Sequence, residues 1–141
     1  MTHKPTWMDR SLAVVGTVLV WLPIAFTLLM SLVFLFRTGQ LRVDWLMPAE
    51  MFLGYLAGAV MLLLVAFALK IQHRELLGSV VIALVGIAGS QGLAVVLGLA
   101  SGAEPAEGWR IAFVLSLLVV YTVAVVSTGI VGLRISRTVL R

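Results

Sequence analysis

Charged residues fall in short clusters along this chain, and the stretches between the clusters are long and apolar. After Arg10 the sequence runs 26 residues without a charge, after Glu50 19, after Glu75 28 and after Arg110 23. About 20 apolar residues in a helix are enough to cross the roughly 30 Å of hydrocarbon in a bilayer. Four segments meet that length: Ser11–Phe36, Pro48–Leu69, Leu76–Ala100 and Trp109–Leu133. Membrane strands would instead alternate polar and apolar residues over about 10 positions. Runs such as Met61-Leu62-Leu63-Leu64-Val65-Ala66 show no alternation. The pattern predicts an all-α, polytopic membrane protein, an antiparallel bundle of four transmembrane helices forming one integral membrane domain over residues 1–141.

The connections agree with that reading. Lys70–Glu75 is short enough to make spans two and three an antiparallel hairpin, and Ser101–Gly108, punctuated by Gly102, Pro105 and Gly108, does the same for spans three and four. Arg37–Met47 is longer, with apolar residues suited to the interface, and Pro48 fits the first turn of span two because a proline there loses no intrahelical donor. Lys4 and Arg10 precede span one as they would precede a secretory signal. The apolar stretch that follows exceeds the usual 7–15-residue signal core and lacks a suitably placed small-x-small cleavage site, so it is expected to be a retained helix.

Composition sharpens the class. Hydrophobic residues make up 62% of the chain and charged residues 11%, whereas a soluble domain is about 45–50% apolar. With nearly all the chain in spans, no room remains for a separate catalytic domain. The absence of cysteine removes thiolate and disulfide chemistry. The net charge of +4 does not point to nucleic acid, because the positive residues sit beside the ends of the spans. The side holding both termini carries Lys4, Arg10, Lys70, Arg74, Arg134, Arg137 and Arg141, against Arg37, Arg42 and Arg110 on the other. That bias places both termini in the cytoplasm, and the short basic flanks and compact size suit a bacterial-type cytoplasmic membrane. Trp7, Trp45 and Trp109 flank spans as interfacial anchors, whereas Trp21 lies deep within one.

Lipid supplies no hydrophobic force between helices, so small residues mark where they approach. Span two carries Gly54-x-x-x-Gly58, which can serve the bundle or a dimer. Span three carries Ser79, Ala83, Gly86 and Ser90 with Gly89 and Gly92 beside them, and span four Ala112, Ser116, Ala124, Thr128 and Gly132.

Polar groups in the spans are the candidates for function. Thr27, Tyr55, Gln91 and Ser116 share a layer about 5–8 Å beyond the midplane from the termini, with Trp21, Ser90, Tyr121 and Thr122 nearer the centre. Gln91 is the most informative, since its amide requires partners that hydrocarbon lacks: another helix, a second subunit or a bound molecule. Glu50, in the first turn of span two, suits the exposed amides there and can also guard an opening with Asp44, Arg42 and Arg110. Trp21-Leu22-Pro23 places a ring and a helix-bending proline near midplane, where a bend can open a lateral pocket.

His3 and His73 lie outside the bundle core and have no ligand spacing around them, so neither a metal nor a haem is expected. Gly-x-Ser-x-Gly, His-Glu-x-x-His and phosphate-loop patterns are absent, and no catalytic residue or cofactor is assigned. The basic end from Arg134 to Arg141 suits anionic lipid headgroups. The expected function is non-enzymatic: a self-associating unit or a subunit of a larger membrane complex, with membrane lipids and sister subunits as partners. The alternative is a transporter or binder of a small apolar or amphipathic molecule or lipid, its pocket lined by Trp21, Tyr55, Gln91 and Tyr121 with Glu50 at the entrance.

Overall fold

The structure, a computed structural model, describes residues 5–39, 49–98 and 108–141. Lys4, His3 and both connections at the end away from the termini, with Arg42, Asp44, Trp45, Glu104 and Glu107, lie outside the described residues. Four helices account for most of the rest: α1 Trp7–Thr38, α2 Ala49–Leu69, α3 His73–Val96 and α4 Gly108–Leu140. Each is long and apolar enough to cross a membrane, and there is no strand among the described residues.

Helix α1 starts four residues before the expected Ser11 because Thr6 and Asp9 form a reciprocal cap. The Asp9 amide donates to Thr6 Oγ1 at 3.3 Å, and the Thr6 amide donates to Asp9 Oδ2 at 2.8 Å. Two of the orphan amides at the helix start are thereby satisfied. The helix stops at Gly39, whose φ of +66° lets its amide donate back to Leu35 O at 2.9 Å. Between these caps α1 holds 32 residues and α4, by comparison, 33, whereas α2 has 21 and α3 24.

Two pairs build the bundle. α1 packs along α2 and α3 along α4, and an extensive α1–α4 contact joins the pairs, with α2 meeting α3 and α4 over smaller areas. In the α1–α2 pair Gly16 faces Gly58. A Cβ placed on Gly58 would sit 2.7 Å from Gly16 O and 3.0 Å from Val20 N, so the two backbones touch. The glycine of α2 therefore finds its counterpart in α1, while Gly54 has open space around it. In the α3–α4 pair Gly86 accommodates Tyr121, whose Cβ would be 3.0 Å from an added Cβ. Ser79, Ala83, Gly86 and Ser90 are all buried, as the spacing of small residues in span three predicts. Gly129 receives the Trp21 ring of α1, and Gly132 receives Leu62 of α2.

The packed core occupies the half of the bundle nearer the termini. Buried positions in α1 run from Ala13 to Pro23 and in α4 from Tyr121 to Val139. Among the described residues, α1 beyond Pro23 and α4 before Tyr121 contain no buried position.

The glycine contacts yield a contrast within a single motif. Gly58→Ala forces backbones apart and is expected to cost about 1–3 kcal/mol, the usual penalty of overpacking, whereas Gly54→Ala enters open space and leaves stability nearly unchanged. Thermal unfolding of both variants in the same detergent checks the difference.

Candidate functional site

Hydroxyl groups do most of the polar bonding inside the bundle, in two clusters. In the first, Thr17 of α1 donates to Ala13 O in its own helix at 2.7 Å and lies 2.8 Å from Ser136 Oγ of α4. Ser136 in turn reaches Ala13 O at 2.9 Å. Two hydroxyl protons thus serve three close contacts, tying α4 to α1 beside Gly132, with Thr17 and Ser136 both buried.

The second cluster joins three helices. Thr128 Oγ1 of α4 lies 3.2 Å from Tyr55 Oη of α2, 3.1 Å from Ser79 Oγ of α3 and 2.9 Å from its own Ala124 O. Ser79 directs its proton to Leu76 O at 3.0 Å, which leaves its oxygen free to accept from Thr128. Tyr55 then donates to Thr128, and the cluster closes with every hydroxyl partnered. Hydrocarbon makes such closure necessary, because no water is present to take an unsatisfied group.

The residues that the sequence singles out go to different places. Trp21 is half-buried, and its indole N–H donates to Gly129 O at 3.2 Å, filling a gap between α1 and α4. Tyr55 and Tyr121 are fully buried, the former bonded to Thr128 and tilted against the Phe52 ring at 6.2 Å, the latter seated on Gly86. Gln91 lies on the exposed surface of α3 and makes no hydrogen bond among the described residues. Glu50 falls in the first turn of α2, and its side chain lies outside the described residues.

The hydroxyl layer at the depth of Tyr55 does not converge either. Thr27 donates to Pro23 O in its own helix at 2.8 Å, and Ser116 is exposed and donates to Phe113 O at 2.7 Å. Equal depth gives these groups no common face. Thr17 and Ser136, which the sequence does not single out by depth, prove to be a further interhelical pair. Their signal was the small-residue context, each lying within four residues of a buried glycine, Gly16 or Gly132.

Several depressions occur on the surface. One of about 250 Å³ runs between α3 and α4 past Ile82, Val119 and Val123, and another of about 420 Å³ lies at the terminal end among Gln72, Arg134, Arg137, Thr138 and Arg141. Neither is lined by Trp21, Tyr55, Gln91 or Tyr121. Among the described residues no three His, Asp or Glu side chains gather where they could hold a metal ion. His73 stacks obliquely on Phe67, ring centroids 5.6 Å apart. The polar chemistry of the interior is therefore that of neutral hydroxyls locking helices together.

No protein-family model, no curated protein and no solved structure matches the chain.

The three-helix cluster gives a measurable coupling. Thr128→Val removes the shared partner of Tyr55 and Ser79 and is expected to cost about 1–2 kcal/mol, with Tyr55→Phe costing about 0.6. The double variant loses less than the sum of the two, and strict additivity in detergent unfolding would show that the bond contributes nothing.

Proposed function

We propose that this chain is a non-enzymatic integral membrane protein whose bundle serves assembly, as a self-associating unit or as a subunit of a larger membrane complex. The whole chain forms one membrane domain, with both termini on the cytoplasmic side of a bacterial-type cytoplasmic membrane. The excess of basic residues at the terminal end supports that orientation.

One observation carries the assembly reading: Gln91 is exposed on α3 and makes no hydrogen bond among the described residues. Gln91 stands five residues, about 8 Å, before the end of α3. Helical side chains lean toward the N-terminus of their helix, which here means toward the membrane interior and away from the nearer headgroups. An amide left in hydrocarbon without a partner costs several kcal/mol. An identical chain inserted in the same direction presents its own Gln91 at the same depth. Because the amide both donates and accepts, two copies related by a two-fold axis along the membrane normal satisfy one another reciprocally.

The exposed positions around Gln91 suit a close contact. Ala88 and Gly92 lie on the exposed surface of α3 with Gln91, and Gly92 has open space where a side chain would be. The binder of a small apolar molecule has less support. Gly129, Thr128 and Gly86 already occupy the neighbourhoods of Trp21, Tyr55 and Tyr121, and Gln91 faces elsewhere.

Since the natural sequence has no cysteine, Gln91→Cys is a site-specific probe. Oxidation in native membranes is expected to link two copies through it, and Gln91→Leu to weaken the assembly by about 5- to 30-fold, equivalent to roughly 1–2 kcal/mol, without lowering the melting temperature of the dissociated chain. Recovery of monomer alone, at every protein density, would refute the reading.

A further inference from the structure

The depression at the terminal end has the composition of a ligand site. Arg134, Arg137 and Arg141 are spaced three and four residues apart, so they share one face of α4, with Thr138 among them. Across the depression stands Gln72, in the turn between α2 and α3. None of the three guanidinium groups is paired with a carboxylate among the described residues. The surrounding surface is also cationic: Arg10, Lys70 and Arg74 lie at the same end, and Asp9 and Glu75 are the described acids there.

Gln72 distinguishes this cluster from an ordinary basic flank. Its backbone has φ of +47° and that of Lys70 +55°, two left-handed residues without glycine in a three-residue turn. Each such residue is strained by about 1–2 kcal/mol. The turn is held by Ile71 N donating to Ala66 O at 3.0 Å and Leu76 N donating to Gln72 O at 3.1 Å. In this constrained position the side-chain oxygen Oε1 of Gln72 is buried and meets no hydrogen-bond donor. Thr138 offers a second acceptor, because its proton already goes to Arg134 O at 2.9 Å while its oxygen retains lone pairs.

Three cations and the Thr138 hydroxyl in one recess, with the unsatisfied Gln72 oxygen covered at its edge, call for a ligand that is an anion and also carries hydroxyl donors. Depth identifies its source. The uncharged run from Arg110 to Arg134 is 23 residues, about 35 Å of helix, slightly more than the hydrocarbon thickness. Arg134 therefore enters at headgroup level, with Arg137 and Arg141 one and two turns further out.

We propose that Arg134, Arg137 and Arg141 of α4, with Gln72 and Thr138, form a binding site for the headgroup of an anionic glycerophospholipid bearing free hydroxyls, of the phosphatidylglycerol type. The phosphodiester lies between the guanidinium groups, and a headgroup hydroxyl donates to Gln72 Oε1 once the side chain turns that covered oxygen into the recess it borders. Choline headgroups bring no donor, and the ammonium of ethanolamine headgroups is repelled by the three cations. The site does not depend on self-association and stands if the chain proves monomeric.

The test is lipid retention by the full chain, followed by native mass spectrometry after equilibration with phosphatidylglycerol, phosphatidylmethanol or phosphatidylcholine. Phosphatidylmethanol has the same charge and no headgroup hydroxyl. Phosphatidylglycerol is expected to be retained about fivefold over phosphatidylmethanol, and phosphatidylmethanol about tenfold over phosphatidylcholine. Arg134→Gln with Arg137→Gln abolishes the anionic preference, whereas Arg10→Gln with Arg74→Gln, an equal loss of charge outside the recess, preserves it. Gln72→Leu equalises the two anionic lipids and leaves both ahead of phosphatidylcholine. Equal losses in the two arginine pairs would overturn the site in favour of diffuse surface charge. Equal retention of the two anionic lipids by the unaltered chain would remove the role of Gln72, and displacement of lipid by millimolar glycerol phosphate would make the ligand a soluble anion. Melting temperatures matching the unaltered chain ensure that a loss reflects the site.

Discussion

Hydrocarbon offers no hydrogen-bond partner, and the architecture of this bundle follows from that constraint. Backbone groups meet it through four long helices. Among side chains, the Trp21 indole meets it by donating to Gly129 O, and hydroxyls by bonding to a carbonyl one turn back or to a hydroxyl or carbonyl on a facing helix. Thr128 does both, and through Tyr55 and Ser79 it links three of the four helices. The interior consequently contains polar bonds without charge. Bonds of this kind are individually worth little in a membrane, with measured values averaging about 0.6 kcal/mol, so the bundle also relies on close packing.

That packing and the hydroxyl bonds occupy the same half of the molecule. Gly16 against Gly58 brings α1 and α2 into backbone contact, while Gly129 and Gly132 allow Trp21 and Leu62 to lie on α4. The short separations place Thr17 within reach of Ser136 and Tyr55 within reach of Thr128. Small residues and hydroxyls are thus parts of one device: the former set the distance at which the latter can bond. Removing a glycine is consequently a polar perturbation as well as a steric one.

Much of this was legible from the sequence, but unevenly. Four spans followed from uncharged length alone, and the stripe Ser79, Ala83, Gly86, Ser90 correctly marked the buried face of α3. The Thr6-x-x-Asp9 cap was readable too, yet hydropathy drew attention to Ser11 as the first residue. Gly16 is the one glycine of span one and forms no spaced motif within it, because its counterpart Gly58 stands on another helix. For the candidate site, depth could be counted along each span, whereas rotation about the helix axis could not. Tyr55 and Ser116 therefore shared a predicted layer while one points to the core and the other is exposed. Gln91 was the instructive case: it follows the buried Ser90, and the 100° step between successive helical residues turns it off that seam.

The unequal helix lengths carry a consequence for the surrounding lipid. At 1.5 Å per residue, α1 and α4 measure about 48 and 50 Å, against about 32 Å for α2. Their apolar stretches differ in the same sense, 26 uncharged residues in α1 against 19 in α2. A single flat slab of hydrocarbon cannot match both in one upright bundle. The longer apolar stretch, that of α1, is matched by tilt or by extended lipid tails, and the shorter, that of α2, by a thinner bilayer beside it. The protein thereby imposes a gradient of thickness around its own circumference, and neighbours whose hydrophobic height matches one flank are drawn to that flank by bilayer elasticity alone.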